Sequence, residues 1–192
     1  MTGPGRADPS TVTDVWDAQP VPDTTRRLFL LRHAKSAWPD GVADHDRPLA
    51  DRGRRDAAAV GRWLAASGMG PDLVLVSPAQ RARQTWDAVA AELGSTGEVR
   101  VTDEVYDAGP GDLLDVLRDI PAATPHVLVV GHNPGIERLA GLLDDGAGAN
   151  EDRARLQAKF PTSGLAVLEV PGRWSALDPE TCRLTTFVVP RG

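Results

Sequence analysis

Residues 28–36 read Leu28-Phe29-Leu30-Leu31-Arg32-His33-Ala34-Lys35-Ser36. Four apolar residues without alternation describe a strand covered on both faces, since a half-exposed strand alternates apolar and polar. The run then breaks into Arg32-His33-Ala34-Lys35-Ser36. The same pattern returns twice: Leu73-Val74-Leu75-Val76 runs into Ser77-Pro78-Ala79-Gln80-Arg81-Ala82-Arg83-Gln84-Thr85, and His126-Val127-Leu128-Val129-Val130 runs into Gly131-His132-Asn133-Pro134-Gly135. Two further runs, Leu165–Val170 and Leu184–Val189, complete a set of five expected strands.

Between the strands the apolar spacing becomes helical. Residues 51–67 carry Ala57, Val60, Trp63 and Leu64 and end at Gly68, a suitable residue just past a helix. Residues 80–93 carry Ala82, Trp86, Val89, Ala90 and Leu93, then Gly94. Residues 111–120 and 134–143 repeat the pattern with Leu113, Leu114 and Leu117, and with Ile136, Leu139, Ala140 and Leu143. Buried strands alternating with amphipathic helices predict an α/β fold, a three-layer α/β/α sandwich with a mostly parallel central sheet. A Pro/Gly-rich loop joins the last two strands and predicts an antiparallel edge pair.

At 192 residues, one domain is expected, at ~150 residues per domain. Residues 1–25, rich in Gly, Pro, Asp and Thr, read as a flexible tail, with a possible sticky turn at Val12, Val15 and Trp16; residues 26–192 read as the catalytic domain. The tail lacks the apolar stretch of a secretory signal, and no run reaches the ~18 apolar residues of a membrane helix. The single Cys182 bars an internal disulfide and so permits a reducing compartment; a cytoplasmic location and a monomer are the expectations. The net charge of −6 argues against nucleic acid, whose affinity comes from neutralised phosphates. Only Lys35 and Lys159 of the 21 basic residues are lysines, so any oxyanion falls mainly to guanidinium groups.

In open α/β sheets the ligand site lies beyond the carboxyl ends of the strands. The three polar exits therefore bring Arg32, Arg81, His33 and His132 to one sheet edge. Asn133-Pro134 predicts a helix start, with Asn133 as N-cap and Pro134 at the first helical position. Backbone amides there, and after Ser77-Pro78, favour an anion. Arginines to clamp it, one histidine to attack and another to donate a hydrogen bond together fit a phosphoryl group.

Leu31-Arg32-His33-Ala34-Lys35-Ser36 resembles the Arg-His-Gly signature of the histidine phosphatase superfamily, which has the phosphoglycerate-mutase-like fold. Ser77-Pro78-x-x-Arg81-Ala82-x-Gln84-Thr85 and Val130-Gly131-His132-Asn133-Pro134 resemble its second and third motifs. Asp46-Arg47-Pro48-Leu49 with Gly53, and Val105-Tyr106-Asp107-Ala108, are similar to the SixA-like phosphohistidine phosphatase branch. The resemblance spans about residues 27–170. It implies a metal-independent phosphatase with no cofactor that forms a covalent phosphohistidine on His33. Arg32, Arg81 and His132 would hold the phosphoryl group, and Ser36 would contact it. Ala34 replaces the usual glycine. Glu104 is the candidate general acid and Asp46 its rival. The substrate implied is a phosphorylated protein carrying phosphohistidine. Small-molecule phosphomonoesters are the alternative, and a mutase-type isomerase or a non-catalytic phosphate-binding domain follow behind.

Other residues carry blander expectations. Arg83, His45 and His126 read as structural, and Lys35 as solvated or assisting by charge. Trp63 and Trp86 read as core, and Trp38 as either pocket mouth or plain surface. Without a Cys cluster or His-x-x-x-His spacing, no metal is expected. Asp144-Asp145 and Glu151-Asp152, around Gly146 and Gly148, read as a solvated loop.

Overall fold

Why the 28–31 run does not alternate is visible in the computed structural model, which describes residues 25–192. Strand β1 (Arg26–Arg32) lies inside a six-stranded sheet with helices on both faces. Leu28 and Leu30 face one core layer, and Phe29 and Leu31 face the other. The remaining strands are β2 (Leu73–Val76), β3 (Glu98–Val101), β4 (His126–Gly131), β5 (Leu165–Val170) and β6 (Arg183–Val188). Their order is β3-β2-β4-β1-β5-β6.

Strands β1, β2, β3 and β4 pair in parallel. The expected antiparallel edge pair is β5–β6, and β5 is also antiparallel to β1. That reversal has a functional consequence. It brings the segment before β5, residues 160–164, to the same sheet edge as the end of β1. There Arg32 N–H donates to the Gly164 carbonyl at 3.1 Å, and Ser163 N–H reaches the carbonyls of Arg32 and His33 at 3.2 and 3.3 Å.

Helices α1 (Asp51–Ala66) and α2 (Gln80–Ala90) cover one face, packing Val60, Leu64, Ala82, Trp86 and Val89 onto the sheet. Helices α3 (Pro110–Arg118), α4 (Gly135–Leu143) and α5 (Asn150–Ala158) cover the other, through Leu113, Leu117, Ile136, Leu139 and Leu156. Trp86 is buried as expected, while Trp63 is only half-buried against the same layer.

Some expectations need correction. A sixth strand, β3, pairs with β2 at the open edge. Residues 150–158 form a helix rather than a loop. Gly68 takes φ +64° just past α1, as a left-handed cap requires, but α2 ends at Ala90, well short of Gly94. Pro134, not Asn133, stands at the N-cap of α4; the Asn133 Oδ1 caps no backbone N–H, and its amide nitrogen donates to Glu137 and the Phe160 carbonyl at 2.8 and 3.0 Å. The expected N-terminal tail, with its turn near Trp16, lies outside the described residues save for Thr25. Among the described residues no helix is long and apolar enough to cross a membrane.

Candidate active site

The exits of β1, β2 and β4 converge on a cavity of about 320 Å³. Its lining includes Arg32, His33, Ser36, Trp38, Asp44, Arg47, Arg81, Tyr106 and His132, contributed by separate strand-exit loops and by the N-terminus of α2. The sequence order explains the convergence, since parallel strands deliver all three exits to one edge.

His33 sits at the floor, 9% exposed, with its ring centroid 5.1 Å from that of His132. Its Nδ1 lies 2.8 Å from the Ala34 carbonyl oxygen. A carbonyl can only accept, so Nδ1 carries the proton and Nε2 keeps its lone pair. Burial, then the charge of His132, push the His33 pKa down to about 3. The ring is therefore a neutral imidazole near pH 7, the form able to attack an electrophile.

His132 is tuned similarly. Burial, then the Arg81 cation, lower its pKa to about 4. Its Nε2 meets the Ser77 hydroxyl at 2.7 Å, and its buried Nδ1 has no protein partner. A serine hydroxyl both donates and accepts, so this contact fits either ring tautomer. Tyr106 packs edge-on against the His132 ring, with centroids 5.5 Å apart.

The two arginines are held differently. Arg32 donates from one terminal nitrogen to the Phe160 carbonyl at 2.8 Å, while its buried Nε lacks a protein partner. Burial pulls its pKa down, opposed by Glu137. Arg81 donates to the Asp44 carbonyl at 2.6 Å and to the Asp44 carboxylate at 2.9 Å. The second motif also braces the floor, because the Thr85 hydroxyl accepts from Ala34 N–H at 2.9 Å and donates to the Arg81 carbonyl at 2.6 Å.

Arg32, His33, Ser36, Arg81 and His132 are thus brought together, as the sequence suggested. Glu104 is not. It is exposed, exchanges hydrogen bonds with Thr102, and lines a separate groove of about 840 Å³ along β3 and α3. Asp46 is also exposed and bonds its neighbour His45 at 3.0 Å. Two carboxylates do line the pocket, Asp107 and Asp44, and sequence reasoning gave neither a role; the one bonded to Arg81 is Asp44. Its hydrogen bond from Arg47, foremost among several causes, holds its carboxyl below the usual carboxylate range. Ser36 carries a qualification: its hydroxyl already accepts from Arg47 at 2.5 Å. Arg83 is exposed and lines a different hollow with His45 and Asp46. Lys35 is exposed at the pocket rim. Among the described residues, no group of three or more His, Cys, Asp or Glu side chains is placed to hold a metal ion.

Arg32, Arg81 and His132 surround the His33 lone pair as potential donors, an arrangement suited to a tetrahedral oxyanion. Comparison with known proteins agrees. The family model "Histidine phosphatase superfamily (branch 1)" matches residues 28–126. An uncharacterized protein of Mycobacterium tuberculosis is 44% identical over 162 residues, covering 84% of this chain and 100% of its own. The phosphohistidine phosphatase SixA of Escherichia coli is 31% identical over 124 residues, covering 62% of this chain and 75% of its own. The structure of a putative phosphohistidine phosphatase SixA from Nakamurella multipartitia superposes with a TM-score of 0.74 at 34% identity, covering 86% of this chain and 96% of that one. With its motifs, pocket and relatives in agreement, the chain belongs to the histidine phosphatase superfamily.

Proposed function

We propose that the protein is a phosphatase that passes the phosphoryl group of its substrate to Nε2 of His33, and that the substrate is phosphohistidine on a protein. The observation that carries this reading is the Nδ1–Ala34 hydrogen bond, which leaves a neutral Nε2 lone pair in a cup of cationic donors. Arg32 and His132, both lining the pocket beside His33, bind phosphoryl oxygens. Arg81 contributes charge from the other side. These donors stabilise the negative charge on the equatorial oxygens as the bond to the leaving group breaks.

The first step forms a bond from His33 Nε2 to phosphorus and breaks the bond to the leaving nitrogen. The leaving imidazole departs with a proton already on its ring, which lessens the need for a strong acid in the pocket. In the second step water attacks phosphorus, the P–Nε2 bond breaks, and inorganic phosphate is released. Asp44, held as an anion at the pocket wall, takes the water's proton. The similarity to SixA proteins supports the choice of phosphohistidine over other phosphoryl donors.

The test is release of inorganic phosphate from a phosphohistidine peptide and from p-nitrophenyl phosphate, with wild type and His33→Ala side by side. Faster turnover of the peptide by wild type, and none by the variant, is expected. Turnover of the ester alone moves the substrate to small phosphomonoesters. Undiminished activity in His33→Ala removes His33 from the mechanism.

A further inference from the structure

Trp38 is 73% exposed, the largest such fraction among the bulky exposed apolar residues of the described part, and it lines the same cavity as His33. Leaving an indole in water forgoes a large burial energy, so a fixed and exposed one calls for a reason. This ring is fixed. The Arg47 guanidinium carbon lies 3.1 Å from its centroid, covering one face. Arg47 itself is only 7% exposed. It is anchored by hydrogen bonds to the Asp44 carboxylate at 2.7 Å, the Ser36 hydroxyl at 2.5 Å and the Ala37 carbonyl at 3.2 Å.

The indole therefore rests on a braced cation. Its other face is open to a ligand that stacks on it. Direction matters as well. His33 is buried and Trp38 exposed on the same cavity, so a leaving group expelled by in-line attack from His33 moves toward the open side that Trp38 shares. The same Asp44 carboxylate that anchors Arg47 also binds Arg81, linking the mouth to the phosphoryl clamp through two hydrogen bonds.

We infer that Trp38 is a specificity residue whose uncovered face stacks on a planar leaving group, such as the imidazole of phosphohistidine or an aryl ring, and so favours planar over aliphatic phosphoryl donors. The inference rests on the phosphatase reading and narrows its substrate class. Stacking of two rings is worth about 2- to 12-fold in affinity beyond the area buried. Trp38 is a binding residue here, with no part in the bond-making steps.

The experiment uses phosphonates, which bind without being hydrolysed. Affinities of phenylphosphonate, cyclohexylphosphonate and methylphosphonate are measured by calorimetry for wild type, Trp38→Ala and Trp38→Phe. The expected result is phenylphosphonate tightest in wild type, by about 3- to 10-fold over cyclohexylphosphonate. That ratio falls to near one in Trp38→Ala and is largely kept in Trp38→Phe, while methylphosphonate binds all three proteins alike. An unchanged ratio in Trp38→Ala overturns the inference. So does an equal loss for all three ligands, which makes Trp38 a mere support for Arg47. Binding of methylphosphonate without a preference for the planar ring leaves the phosphatase reading standing and removes Trp38 from it. If no phosphonate or phosphate binds, the phosphoryl pocket itself fails, and the inference with it.

Discussion

The carboxylate of Asp44 accepts a hydrogen bond from Arg81 at 2.9 Å, so the phosphoryl pocket carries an anion of its own beside one of its arginines. A fixed negative charge a few ångströms from a bound phosphate repels it, by about 1–3 kcal/mol at effective dielectrics between those of water and a protein surface. Asp44→Asn is expected to bind inorganic phosphate about 5-fold more tightly. It is also expected to lose about 10-fold in kcat, since the proton acceptor for water is gone. Weaker phosphate binding in the variant means that Asp44 acts chiefly by holding Arg81 in place.

Both pocket histidines are expected to stay neutral far into acid. With pKa values pushed down to about 3 for His33 and about 4 for His132, their imidazole NMR signals remain unmoved from pH 8 to pH 5.5. A titration midpoint near the ordinary histidine value of about 6.5 for either ring contradicts the electrostatic description of the site.

The same depression makes stability fall with acid. Below about pH 6.5 the unfolded chain binds protons that the folded histidines refuse, so each ring subtracts stability as pH falls toward its folded value near 3 or 4. Between pH 7 and pH 5 the loss is roughly 1–2 kcal/mol per histidine. Urea unfolding of His33→Ala should show a correspondingly shallower acid-side decline than wild type. Equal slopes in the two proteins count against the buried neutral ring.

Gly53 is where α1 presses on the loop that follows β1. A Cβ built there lies 2.1 Å from the Lys35 carbonyl oxygen, which already accepts Ala50 N–H at 2.9 Å. Gly53→Ala must shift helix or loop, two residues from His33. A fall in stability of about 1–3 kcal/mol, as for other overpacked sites, is expected together with a drop in kcat of at least 10-fold. Thermal unfolding and turnover of the variant check both, and a protein as stable and active as wild type rules out this close approach.

Much of this architecture is legible in the sequence, and the gaps have physical causes. Strands β1, β2 and β4 stand out because both faces are covered, which removes polar residues from the run. Strand β3, Glu98-Val99-Arg100-Val101, is a short exposed edge with alternating polarity and little to separate it from a loop. Helix α5 buries only Leu156, so no apolar stripe announces it. Arg32, His33, Arg81 and His132 are readable because each closes a strand or lies shortly after one. Asp44 has no such signal. It sits in a short 3-10 helix, Asp44–Asp46, and meets Arg81, 37 residues later, only through space. Thr85 and Ser77 could be located by their motifs, but not their hydrogen bonds to Ala34 and His132.

The central claim is a covalent phosphoryl-enzyme at one nitrogen of one residue. Rapid quench of the enzyme with phosphohistidine peptide, followed by phosphorus NMR and mass spectrometry of the trapped protein under alkaline conditions, addresses it directly. The predicted result is a single acid-labile phosphoryl group on Nε2 of His33, absent from His33→Ala. A phosphoryl group on Nδ1, on another residue, or release of phosphate with no phosphoryl-enzyme at any time contradicts it.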